Sequence, residues 1–114
     1  MQGIDIAGPA PSPVLCRAGM AQALVAHVYG VELTDMRAQT RRMPRAALAR
    51  QVAMYLSHVV LQLSLSEVGE AFGRGRSTAW HATHHIESLR EDSELDRTLD
   101  YLETTLRGTI GEAA

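Results

Sequence analysis

From Ser64 to His81 the chain reads Ser-Leu-Ser-Glu-Val-Gly-Glu-Ala-Phe-Gly-Arg-Gly-Arg-Ser-Thr-Ala-Trp-His, and no other stretch limits the possible folds as much. Ser64 and Glu67 stand in the spacing of a capping box, where each side chain bonds the other's backbone N–H and opens a helix. Val68, Ala71 and Phe72 give that helix an apolar side, and Gly69 is small enough to let a second helix approach closely. Gly73 and Gly75 bracket the turn that follows, because leaving a helix often needs a positive φ. Arg76-Ser77-Thr78 then opens another helix. Two short helices joined by a glycine-bearing turn, the second starting on polar donors, predict a helix-turn-helix.

The flanking sequence supplies its support. Ala18, Ala21, Leu24, Val25 and Val28 form one helical stripe starting near Leu15, with Gly30 as its stop and Thr34 as the cap of a short second helix. Pro44 suits the first turn of a long helix whose buried stripe is Leu48, Val52, Leu56, Val59, Val60 and Leu63, with Tyr55 and His58 off that stripe. In the helix from 76 to 90, Ala79, Ala82, Thr83, Ile86 and Leu89 point inward, and Arg76, Ser77, His81, His84 and Ser88 outward. A last helix, 94 to 107, carries Leu95, Leu99, Leu102 and Leu106. No strand pattern is present. The expectation is an all-α bundle of about five to six helices, one domain over residues 15–107, with a flexible lead-in at 1–14 and a frayed tail at 108–114.

Charge and composition remove several functions. The formal net charge is −2, yet Arg37 to Arg50 holds five arginines and no acid, while Glu87 to Glu103 holds seven acids and two arginines. Such polarity can give one positive face at near-zero total charge; two ordinary solvated helix faces would give the same pattern. All 11 basic residues are arginine, so the Gly-Lys-Ser/Thr of a phosphate-binding loop is absent and no nucleotide site of that kind is expected. A single cysteine, Cys16, excludes an internal disulfide framework and a multi-cysteine zinc site. No apolar run reaches the ~18 residues of a membrane span, and no basic segment precedes an apolar run at the N-terminus. A cytoplasmic, nucleoid-associated protein without cofactor is expected. His81, His84 and His85 are spaced so that two imidazoles could share a face, but no Cys, Asp or Glu completes a ligand set nearby and no metal is expected. Nor does any nucleophile–base spacing point to an enzyme.

The strings Arg50-Gln51-Val52-Ala53-Met54-Tyr55-Leu56, Leu63-Ser64-Leu65-Ser66-Glu67-Val68-Gly69 and Ala71-Phe72-Gly73, continued by Ser77-Thr78, His81-Ala82 and Ile86-Glu87, resemble the C-terminal DNA-binding domain of the bacterial replication initiator DnaA. The resemblance spans residues 18–107. It implies that Arg42, ahead of the long helix, enters the minor groove; Arg41 and Arg45 beside it are expected on phosphates. It implies phosphate contacts from Arg50, Gln51 and His81, and a helix entry at Ser66 where the family often has proline. The family's base-reading Asp-His-Thr-Thr is matched by Gly75-Arg76-Ser77-Thr78, in a turn one residue shorter that also contains Arg74. The loss of the Asp and His puts recognition of the initiator's own box in question. Arg76 could read guanine O6 and N7 or hold a phosphate; Ser77 and Thr78 either cap the helix or touch DNA. Trp80 takes the place of a leucine and is expected to be partly buried. The family's ATPase domain has no counterpart, so the likeness is to small stand-alone relatives.

The leading expectation is a monomeric, sequence-specific binder of double-stranded DNA that regulates transcription with a protein partner, the acidic run facing away from DNA as a candidate docking surface. The alternative is a regulator of replication initiation acting at initiator boxes. From another class, a protein-interaction module that has lost DNA binding fits the shortened turn.

Overall fold

The structure, a computed structural model, describes residues 12–37 and 44–111. Six α-helices follow in order: α1 (Pro13–Tyr29), α2 (Leu33–Arg37), α3 (Pro44–Val59), α4 (Leu65–Ala71), α5 (Arg76–Leu89) and α6 (Ser93–Thr109). This is an all-α bundle containing the helix-turn-helix, α4 and α5.

The helix boundaries are set by local chemistry. The Ser12 hydroxyl accepts from the Leu15 amide at 3.1 Å and Pro13 fills the first turn of α1, so the helix starts before the apolar stripe does. Residues 13 and 14, read above as lead-in, are therefore helical; residues 1–11 lie outside the described residues. Gly30 ends α1 at φ 65°, with its N–H on the His27 carbonyl and the Val31 N–H on the Ala26 carbonyl, the paired bonds of a Schellman stop. Helix α2 begins at Leu33, which puts Thr34 inside it rather than at its cap, and buries Met36. At the far end α6 runs to Thr109, past the expected tail boundary, with Asp92 capping its start through bonds to the Glu94 and Leu95 amides.

Helix α3 is the axis. It packs against α1, α2, α4 and α5, so residues 52–57 are buried without a break. That enclosure explains why Tyr55, off the apolar stripe, is only 4 % exposed. Its hydroxyl accepts a hydrogen bond from Arg90 at 3.0 Å, satisfying the polar end of a buried ring. His58 Nδ1 donates to the Leu63 carbonyl at 2.8 Å, helping to close the connection to α4. Arg17 of α1 reaches the Leu61 carbonyl of the same connection at 2.8 Å. Buried alanines (Ala21 of α1, Ala49 and Ala53 of α3, Ala79 of α5) let the helices pack closely around Val25, Leu56, Ile86 and Leu99.

Within that connection Gln62 has φ 61°, a left-handed conformation that disfavours any residue with a Cβ. Gln62→Gly is expected to raise the unfolding free energy by about 0.5–1 kcal/mol, the relieved strain exceeding the extra entropy of the unfolded chain. Urea denaturation followed by circular dichroism tests this, and an unchanged or lowered midpoint would count against the strain.

Part of the acidic run is structural. Arg90, just beyond α5, bonds Asp96 and Asp100 at 2.5 Å and Glu103 at 2.6 Å, tying α5 to α6 and, through Tyr55, to α3. Burial acts to lower the Arg90 pKa, but the bonds to Asp96, Tyr55 and Glu103 outweigh it and raise it above the ordinary arginine value.

Candidate nucleic-acid interface

The turn between α4 and α5 is as tight as its glycines suggest, with different roles for each. A Cβ on Gly69 would lie 2.9 Å from the Arg74 carbonyl oxygen and from the carbonyl carbon and oxygen of Gly75. The Arg74 amide donates to the Gly69 carbonyl at 2.7 Å. Gly73 supplies the left-handed step at φ 66°. Gly75 does not: it is extended, at φ −81° and ψ 166°, and serves as the N-cap of α5. The capping box of α4 forms as expected, with Glu67 N–H on the Ser64 hydroxyl at 3.1 Å and Ser64 N–H on the Glu67 carboxylate at 2.8 Å.

With glycine as N-cap, α5 opens without a side-chain cap. Ser77 is therefore not the cap, and its hydroxyl lies exposed in the first turn beside Arg76 and Thr78. An uncapped helix start presents backbone N–H groups and the positive end of the helix dipole, the combination that receives a phosphate.

Behind that start an open groove of about 690 Å3 runs between α3 and α5. Arg50, Gln51, Arg74, Thr78, His81 and His85 line it, together with small and apolar residues and no acid. Arg50 lies at 8 % exposure, its Nε donating to the Met36 carbonyl at 2.6 Å and its Nη2 to the Asp35 carbonyl at 3.3 Å. This corrects the reading of Arg50 as a plain phosphate contact: two of its three nitrogens fasten the end of α2 to α3. Its charge still bears on the groove. Burial, and then the neighbouring Arg74 charge, hold the Arg50 pKa below the usual arginine value. An anion entering the groove would relieve that repulsion.

The other expected contacts divide into three sets. Gln51, Arg74, Thr78 and His81 meet in the groove with Arg50. Arg45, in the first turn of α3, and Ser66, in the first turn of α4, are exposed at helix starts, as are Arg76 and Ser77. Arg41 and Arg42 lie outside the described residues. His85, not singled out as a contact from the sequence, also lines the groove; it is four residues on from His81 and so on the same side of α5.

Trp80 departs from expectation. It is 41 % exposed, because the buried face of α5 is formed by Ala79, Ala82, Thr83 and Ile86 and position 80 turns away from it. Its indole stacks on the His84 ring at 3.8 Å and meets the His81 ring edge-on at 5.0 Å. Among the described residues no three or more His, Cys, Asp or Glu side chains gather as a metal site would need, and no helix is long and apolar enough to cross a membrane.

Known proteins resemble this chain in sequence and fold. The family described as bacterial DnaA protein helix-turn-helix matches residues 20–86. The chain is 44 % identical over 89 residues to the chromosomal replication initiator protein DnaA of Bordetella pertussis, covering 76 % of this chain and 19 % of that protein. It is 40 % identical over 89 residues to DnaA of Paraburkholderia phymatum, covering 76 % of this chain and 17 % of that one. A crystal structure of a DNA replication initiation factor matches with a TM-score of 0.76 at 28 % identity, over 85 % of this chain and 30 % of that one. The chain thus spans under a fifth of the length of these curated relatives.

Proposed function

The chain belongs to the bacterial DnaA helix-turn-helix family, and on that premise we propose that it binds duplex DNA at sites of the initiator-box type and acts in the control of replication initiation. One observation carries this reading: the acid-free cationic groove between α3 and α5 runs into the uncapped start of α5, the two sharing Thr78. The first turns of α5 enter the major groove, where Arg76 forks onto guanine O6 and N7 and Ser77 reaches base edge or backbone. Gln51, Thr78, His81 and His85 follow one phosphate strand along the protein groove, with Arg50 and Arg74 supplying the field. Arg41, Arg45 and Ser66 sit on flanking phosphates, and Arg42 supplies the minor-groove contact that the family likeness implies.

The similarity to replication initiators moves this reading ahead of the transcription regulator expected from the sequence. One feature keeps regulation of transcription as a second reading: Gly75-Arg76 stands where the family has Asp-His, a change that would move the base preference away from the initiator box. A helix-turn-helix kept only for protein contacts is disfavoured by the acid-free groove.

Fluorescence anisotropy with an initiator-box duplex, its scrambled form and a random-sequence pool, each at two salt concentrations, tests the proposal. The box is expected to win with steep salt dependence from counterion release. Arg76→Ala should weaken box binding about tenfold to hundredfold, the worth of one bidentate base contact, and Arg45→Ala should weaken all three duplexes alike and flatten the salt slope. Box and pool binding equally would favour the second reading, and no binding at low salt would remove both.

A further inference from the structure

We propose that Trp80 determines sequence specificity by packing against the 5-methyl group of a thymine in the major groove. The inference rests on the duplex-binding reading above and adds to it a residue with a different mode of recognition.

Position comes first. Trp80 follows Arg76 by four residues on α5, about one helical turn or 6 Å along the axis. It is exposed, as are Arg76, Ser77 and His81. A helix whose first turn lies among base edges carries its second turn past the next one or two base pairs, which are spaced 3.4 Å apart along a strand.

Rigidity comes second. The His84 ring lies nearly parallel to the indole, 25° between planes, and the His81 ring is perpendicular at 90°. His84 is itself fixed, its Nδ1 donating to the Trp80 carbonyl at 2.8 Å. An indole braced from two sides loses little freedom when it meets a partner, and a large apolar ring left 41 % in water gains from being covered.

Chemistry selects the partner. Base edges in the major groove present hydrogen-bonding groups and one apolar feature, the thymine methyl. Arg76 and Ser77 serve the polar groups. The indole–imidazole plate offers apolar surface and suits the methyl.

Trp80 is the only tryptophan in the chain, so its emission reports directly on the contact. The experiment uses the full chain and a duplex selected from a random-sequence pool, made with thymine and again with each thymine singly replaced by deoxyuridine, which removes only the methyl. Wild type is expected to lose about three- to tenfold in affinity at one or two positions, the size expected for uncovering one methyl group. Trp80→Ala should bind the thymine duplex more weakly and show no difference at those positions. Acrylamide quenching of Trp80 should fall in the saturated complex. Uracil replacement costing both proteins the same, or costing wild type nothing, overturns the proposal, as does full quencher access in the complex. Should Trp80→Ala lose helix content, Trp80→Gln takes its place. Failure of wild type to bind any duplex removes the DNA reading as well, whereas binding indifferent to uracil removes only the role of Trp80.

Discussion

Replacing Gly69 with alanine is expected to lower the unfolding free energy by about 2 kcal/mol. Two effects oppose each other. In a helix interior, alanine in place of glycine ordinarily stabilises by about 1 kcal/mol. Here the added Cβ would sit 2.9 Å from three backbone atoms of Arg74 and Gly75, and backbone cannot rotate aside as a flexible side chain can. Overpacking a well-filled contact costs about 1–3 kcal/mol, and the upper part of that range applies because the turn must open. The clash wins. Gly69→Val, which adds two more methyl groups against the same carbonyls, should cost still more. Gly19 in α1 gives the internal control, since nothing lies within 4 Å of the Cβ it would gain; Gly19→Ala should stabilise by about 0.5–1 kcal/mol. Urea unfolding of the variants separates the cases, and Gly69→Ala as stable as Gly19→Ala would show that the two helices are not held this closely. The turn sets the start of α5, so the Gly69 variants should also lose duplex affinity while folded, which Gly19→Ala should not.

The parts of this molecule that follow from local chemistry were legible in the residues themselves. The Ser64–Glu67 box, the Gly30 stop, the proline at the start of α3 and the close approach at Gly69 depend on neighbours a few positions away, and each appears where its pattern places it. Non-local packing was harder to read. Tyr55 looked peripheral to α3 because periodicity assumes one buried face, whereas α3 is enclosed by four helices. Arg50 read as a surface cation because a basic run gives no sign of which guanidinium turns inward; its acceptors, the Met36 and Asp35 carbonyls, lie fourteen and fifteen residues away. Trp80 was expected to be partly buried in a leucine's place, but its bracing partners are imidazoles on its own exposed side. His85 could have been found from its i+4 relation to His81. The acidic run offered one usable signal, two arginines, Arg90 and Arg97, among seven carboxylates, but spacing alone could not show that three of the acids converge on Arg90.

That convergence yields the second large effect. Arg90→Met is expected to lower the unfolding free energy by about 2–3 kcal/mol. Methionine approximates the length of the arginine stem, so the loss is mainly of charge and hydrogen bonds. Asp96 and Asp100 would be left without their cation, Glu103 would keep only the longer 3.8 Å pairing with Arg107, and the buried Tyr55 hydroxyl would lose its donor. Removing one partner of a fully buried ionic group costs about 3–5 kcal/mol. The figure is lower here because solvent screens the cluster: the Asp96 and Asp100 side chains are 42 % and 65 % exposed, and only Glu103, at 14 %, is well covered. Added salt should therefore restore part of the loss in the variant by screening the carboxylates. Because the folded state raises the Arg90 pKa, its contribution is fully present below the ordinary arginine value and fades only above it; raising the pH from 7 to 9 should leave this contribution unchanged. Duplex binding supplies the complementary readout. Arg90 follows the last residue of α5, fourteen residues from Arg76 and about 20 Å along the axis, so the folded variant should bind duplex DNA as wild type does. A variant that unfolds no more easily than wild type would mean that the cluster adds nothing net to stability; a folded variant that binds DNA more weakly would extend the interface to the C-terminal end of α5.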